Sequence, residues 1–161
     1  DETKLKSLAP ILISDLSAGQ THRGRLLVGS IADVDGFWSI KSGAFLLQDI
    51  SGSVIQVAVY NIPQNGFSEA FPFGREICIV EPFFKIRADG TAGVRVDKPA
   101  EILDYPHPQT TEDWKEFGNS SIKHCPEMAL TCYEKALQAP NEVIRDSLMG
   151  RSTYKEGGGG G

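Results

Sequence analysis

The apolar pattern of this chain changes period once, near residues 105–111, and that change limits the fold more than any other feature. Before it, short apolar runs alternate with polar residues and are broken by glycines. In Ser53–Tyr60, Ile55, Val57 and Val59 alternate with Gln56, Ala58 and Tyr60, the period of a strand with one face buried. After it, apolar residues recur at helical spacing. The junction Tyr105-Pro106-His107-Pro108-Gln109-Thr110-Thr111 has two prolines and no periodicity, and reads as an extended linker. The chain therefore divides into a β domain over 1–106, a helical hairpin with a short third helix over 107–150, and a disordered Gly-rich tail over 151–161.

Residues 1–20 read as an extended lead-in with one helical turn, since Pro10 and Gly19 limit any helix. The first strand is predicted at about Arg23–Ala32, ended by a tight turn at Asp35-Gly36. The second follows over Phe37–Gln48, with Gly43 marking a bulge, and the third over Ser53–Tyr60. Asn61–Gly74 is a loop with room for a short helix at Phe67–Phe71. The fourth strand spans Arg75–Ile86, bent at Pro82, the fifth Thr91–Asp97, and Glu101–Leu103 closes the sheet. Five strands interrupted after the third form the arrangement of an antiparallel OB-like barrel. The hairpin Phe45–Val57 and the entry Phe73-Gly74-Arg75-Glu76-Ile77 resemble those of OB folds. Another small antiparallel barrel or sandwich is the alternative.

The helical part opens at Thr110-Thr111-Glu112-Asp113-Trp114, where a threonine caps and acidic residues suit the positive helix end. Pro126 suits the first turn of a second helix, which stops at Pro140. Trp114, Phe117, Gly118, Ala129, Tyr133, Ala136 and Pro140 resemble the signature positions of a tetratricopeptide repeat. The turn at His124-Cys125-Pro126 is one residue short of that pattern, and Ser121 stands where an aromatic is usual. One repeat buries too little to stand alone, so the hairpin is expected to pack on the barrel, pair with a second copy as a homodimer, or begin an array. The layout, with His22-Arg23-Gly24-Arg25, Val59-Tyr60-Asn61-Ile62-Pro63, Glu81-Pro82-Phe83-Phe84-Lys85 and Asp113-Trp114-Lys115-Glu116-Phe117-Gly118-Asn119, resembles the N-terminal region of fungal and plant proteins that join tetratricopeptide repeats to a SET methyltransferase domain. The resemblance implies a methyltransferase part outside this sequence.

The net charge is −5, and both halves are acidic, which weighs against binding dominated by phosphate contacts. No segment has the length of apolar sequence that a membrane span needs. Cys78, Cys125 and Cys132 form no CxxC pair, and His22, His107 and His124 are scattered, so neither a disulfide framework nor a metal site is expected. A reduced intracellular setting, cytoplasmic or nuclear, is the expectation. The lack of Met at position 1 suggests a piece of a longer chain. Asp33 and Asp35 read as turn chemistry rather than a carboxylate pair. His124 beside Cys125 does not make a nucleophile pair, because adjacent helical residues diverge. No catalytic residue and no cofactor are assigned.

The binding face expected for an OB barrel would carry Phe37, Trp38, Lys41, Gln56, Tyr60, Arg87 and Arg95, aromatics beside cations. On the helices, Lys115, Asn119, Lys123 and Lys135 are the polar positions most able to reach a partner, although a solvated face explains them as well. The leading expectation is a non-catalytic interaction module binding a protein or peptide. The alternatives are a single-stranded nucleic-acid binder using the barrel face and an accessory region of a lysine methyltransferase.

Overall fold

The structure is a computed structural model describing residues 2–39 and 42–141, without side-chain detail at 2–4, 34–39 and 64. Its strands are β1 (Ala9–Ile11), β2 (Gln20–Thr21), β3 (Arg25–Ser39), β4 (Ser42–Asp49), β5 (Val54–Tyr60), β6 (Glu76–Val80), β7 (Phe83–Ile86), β8 (Ala92–Val96) and β9 (Ile102–Asp104). Its helices are α1 (Glu2–Ser7), α2 (Phe67–Ala70), α3 (Thr111–Ser121) and α4 (Pro126–Gln138). The protein is thus mainly β with some helices.

All the strands join one sheet in the order β2-β7-β8-β5-β4-β3-β6-β9, with β1 lying parallel to β3. β3, β4 and β5 form an antiparallel meander, β5 pairs β8 in parallel, and β6 returns to β3. β6 and β7 are consecutive in the chain yet lie toward opposite ends of that order, separated only by Glu81-Pro82. Following the chain through this break brings the two ends of the sheet together. The sheet curls on itself, consistent with an OB-like barrel.

Alternation decides what the curl encloses. Phe45 and Leu47 of β4, Ile55, Val57 and Val59 of β5, and Val94 and Val96 of β8 point into one core with Leu27, Ile31, Ile77 and Ile79. Each such side chain contributes about 1.5–3 kcal/mol relative to exposure. Helix α2 stoppers one end: Phe67 is fully buried, and Phe71 stacks on Phe45 with centroids 5.0 Å apart. Asp49, itself buried, accepts from the amides of Ile13, Ser51 and Ser53 and from the Ser51 hydroxyl. It thereby ties the lead-in segment to the β4–β5 turn.

Several expectations need correcting. Asp35-Gly36 does not end the first strand, because β3 continues to Ser39 and absorbs the irregularity as register shifts against β4. The second strand accordingly starts at Ser42, not at Phe37. Gly43 pairs with Phe37 and Val59 beside the register shift between Phe37 and Ser39; a β carbon there would sit 2.7 Å from the Phe67 ring, so the glycine also seats that ring. The lead-in is more ordered than one turn, holding α1 and β1. Arg25 fixes β1 by donating to the carbonyls of Ala9 and Pro10.

The hairpin of α3 and α4 packs on the outside of the sheet. Phe117, Met128 and Cys132 share a second core with Leu8, Leu26, Val28 and Cys78. Thr110 and Asp113 form a reciprocal capping box at the start of α3. The linker lies against the sheet: the His107 ring meets the Gly29 carbonyl, 3.0 Å away, and the His107 amide donates to Glu76. The expected third helix lies outside the described residues apart from Asn141, and the tail lies outside them entirely.

Candidate functional site

The side of β5 and β8 that turns away from the core carries the candidate site. With Ile55, Val57 and Val59 inward, Gln56, Ala58 and Tyr60 face out; with Val94 and Val96 inward, Gly93 and Arg95 face out. Cross-strand register sets these in rows. Leu46, Gln56, Gly93 and Lys85 form one, and Ala44, Ala58, Arg95 and Phe83 the next. Ala44, Ala58 and Gly93 are small and buried, and longer side chains lie over them.

Four of the seven expected face residues meet here: Gln56, Tyr60, Arg87 and Arg95. The Arg95 guanidinium lies over the Tyr60 ring, 4.3 Å from its centroid, and Nε of Arg95 donates to Asp97 at 2.9 Å. The bond to Asp97 holds the Arg95 pKa above its ordinary value. Arg87 leans across Gly93, where a β carbon would come within 2.6 Å of its Nη2, and its Nη1 donates to Thr91. Asp89 accepts from the Thr91 hydroxyl and amide, and these bonds hold its carboxyl below the usual range. A shallow cavity of ≈520 Å³ opens between Gln56, Tyr60, Arg87 and Thr91. A second, ≈320 Å³, is lined by Arg95, Phe83, Asp97 and Lys98.

Of the remaining expected residues, Phe37 and Trp38 lie within β3, but their side chains are outside the described residues, as is Lys41 altogether. Phe83 and Lys85 belong to the face and were not singled out from sequence. No periodicity marks them, because their facing is set by the backbone of Glu81, left-handed at φ 47°, before Pro82. It turns the strand over, so that Phe84 instead of Phe83 faces the core.

The repeat-like residues line the seam between α3 and α4. Trp114 meets Phe117 edge-on at 6.3 Å, and Lys135 lies over Trp114. Gly118 lets Tyr133 approach, Ala129 and Ala136 are buried, and the Pro140 carbonyl accepts from Thr111. Among the described residues no cluster of three His, Cys, Asp or Glu side chains could hold a metal ion, and no helix is long and apolar enough to cross a membrane.

No protein-family model matches the chain. A curated protein of Gibberella zeae named "Methyltransferase" is 29% identical over 100 residues, covering 60% of this chain. The chain spans about 13% of the length of that relative. Among solved structures, fission yeast Pot1 with single-stranded DNA superimposes with a TM-score of 0.48 at 10% identity, over 71% of this chain and 44% of that one. Schizosaccharomyces pombe Pot1pC bound to single-stranded DNA gives 0.45 at 10% identity, over 80% and 96%. The S. pombe Stn1–Ten1 complex gives 0.42 at 19% identity, over 69% and 76%. The OB-like character rests on the strand order described above.

Proposed function

We propose that this chain binds single-stranded nucleic acid across the outer face of β5, β8 and β7. The observation that carries the reading is the Arg95–Tyr60 stack on the outer side of β5 and β8. Flat π surfaces accept bases of any sequence, and Lys85, Arg87 and Arg95 offer charge to the phosphates. The proposal includes reading the sheet as a five-stranded OB barrel, in which β6 and β7 are one bent strand and β1, β2 and β9 are additions.

Fluorescence anisotropy with labelled single-stranded DNA and RNA tests it. Binding should be measurable at low salt and weaken as salt rises. Tyr60→Ala should cost about 1–3 kcal/mol, the range for one lost base stack. No binding at low salt, or unchanged binding by Tyr60→Ala and Arg95→Ala together, would refute it.

A second reading concerns the hairpin, which we take as tetratricopeptide-like and as a protein contact. It is favoured by Leu130 and Leu137 of α4, 63% and 87% exposed. In this reading the chain has no catalytic step of its own. It would couple to a larger assembly, and the similarity to a fungal methyltransferase makes a neighbouring methyl-transfer domain the first candidate.

A further inference from the structure

We infer that Asp97, a carboxylate that would ordinarily oppose a phosphate backbone, is a positioning residue that holds the Arg95 guanidinium over the Tyr60 ring, as a surface on which a base stacks. The inference rests on the nucleic-acid reading above and adds a determinant to it. Asn61 follows Tyr60 with φ 62°, a left-handed conformation that Asn tolerates better than most residues. In that conformation its side-chain amide donates to the Asp97 carbonyl at 2.9 Å. The end of β5 is thus tied to the residue just past β8, and Tyr60 and Asp97 are held on either side of Arg95.

Arg95 is then fixed at two places. Its Nε meets Asp97 Oδ1 at 2.9 Å, and its guanidinium carbon lies 4.3 Å from the Tyr60 centroid. A guanidinium is planar and rigid, so fixing Nε and one face fixes the plane. The Arg95 side chain is 35% exposed and that of Asp97 58%, so Arg95 is partly covered and still reachable. Tyr60 lines the ≈520 Å³ cavity with Gln56 and Arg87, and Arg95 lines the ≈320 Å³ cavity with Phe83 and Lys98. A base stacking on this guanidinium needs its plane held, and a mobile guanidinium would lose that contact.

The prediction has a sign that simple electrostatics reverses. Removing a carboxylate beside a phosphate path should tighten binding. If Asp97 positions Arg95, Asp97→Asn instead weakens binding to a labelled single-stranded oligonucleotide by about threefold or more. Arg95→Lys keeps the charge and loses the plane, so it should weaken binding while leaving the salt dependence unchanged. In that Arg95→Lys background nothing remains to be positioned, and Asp97→Asn should then tighten binding. Asp97→Glu, which keeps the carboxylate, should bind closer to the original protein than Asp97→Asn does. All the substitutions lie at partly or well exposed positions, and far-UV circular dichroism checks that the fold is kept.

Equal or tighter binding by Asp97→Asn in the original background overturns the inference and leaves the nucleic-acid reading intact. So does weakening of the same size in the Arg95→Lys background, since Asp97 would then act without Arg95. Failure of the unaltered protein to bind any oligonucleotide overturns both.

Discussion

Gly43 and Phe67 are a matched pair, and substituting both tests whether α2 really stoppers the barrel. A β carbon on Gly43 would stand 2.7, 2.9 and 3.0 Å from three atoms of the Phe67 ring. The ring is fully buried and is held against Phe71, centroids 5.0 Å apart, so it has little freedom to yield. Overpacking of this kind costs about 1–3 kcal/mol, and the advantage of Ala over Gly within a strand returns about 0.5–1. Gly43→Ala should therefore destabilise by up to roughly 2.5 kcal/mol. Phe67→Ala opens a cavity and should cost about 3–5 kcal/mol. In the double variant the added methyl enters the vacated space, so the two costs should not add. We expect a coupling of about 1–3 kcal/mol in favour of the double variant. Urea unfolding followed by far-UV circular dichroism, with the m value checked for constancy, measures all three. Additive costs within about 0.5 kcal/mol would mean that Phe67 does not sit on Gly43.

Other outcomes follow from the second core and from the cap. Burial pushes the Cys78 and Cys132 thiols up to about 11 from 9.0. The native state keeps those protons at pH values where the unfolded chain has lost them. Stability is therefore fully present below about 9 and falls as pH rises toward 11, and pH-dependent thermal melts read the decline. Iodoacetamide at neutral pH should label the half-buried Cys125 before the two buried thiols, as mass spectrometry of timed samples would report. Thr110→Ala removes one half of the capping box and should cost about 0.5–2 kcal/mol in urea unfolding. The amides of Gln109 and Thr110 hold the Asp113 carboxyl below its ordinary value. That contribution is present above the ordinary value and is lost as pH falls through the depressed one, so Asp113→Asn should flatten the acid limb of the stability curve.

What was legible in the sequence is what is local. β5 and β8 could be read from Ile55, Val57, Val59, Val94 and Val96, because one face of each is entirely apolar. Gln56, Tyr60 and Arg95 came with them as the outward partners. β1 could not be read: Ala9-Pro10-Ile11 becomes a strand only by parallel pairing with β3, sixteen residues on in register, and Arg25 secures it from a distance. Asp35-Gly36 has the chemistry of a turn, yet in the fold it sits inside a long strand whose irregular register absorbs it. Phe83 and Lys85 were missed for a reason of phase. Ile77 and Ile79 face the core from odd positions, Phe84 from an even one, and the reversal happens at a backbone angle of Glu81 that no periodicity announces.

The acidity of the chain bears on how such a face would bind, not on whether it exists. At physiological salt a surface charge acts over about 8 Å, so most of the excess carboxylates are screened from the face around Ala58 and Gly93. The face offers three cations, Lys85, Arg87 and Arg95, against Asp89 and Asp97, and the second cavity adds Lys98 together with Glu81 and Glu101. Asp89 is hydrogen-bonded to Thr91 and Asp97 to Arg95, and the local balance is close to neutral. Three cations on a single strand give a salt slope of about 2 at most, counting roughly 0.7 per phosphate neutralised. Stacking on Tyr60, Arg95 and Phe83 would then carry the larger share of the affinity. On the proposed reading, such a face would hold bases that are already unpaired and discriminate against duplex, in which the bases are stacked on one another.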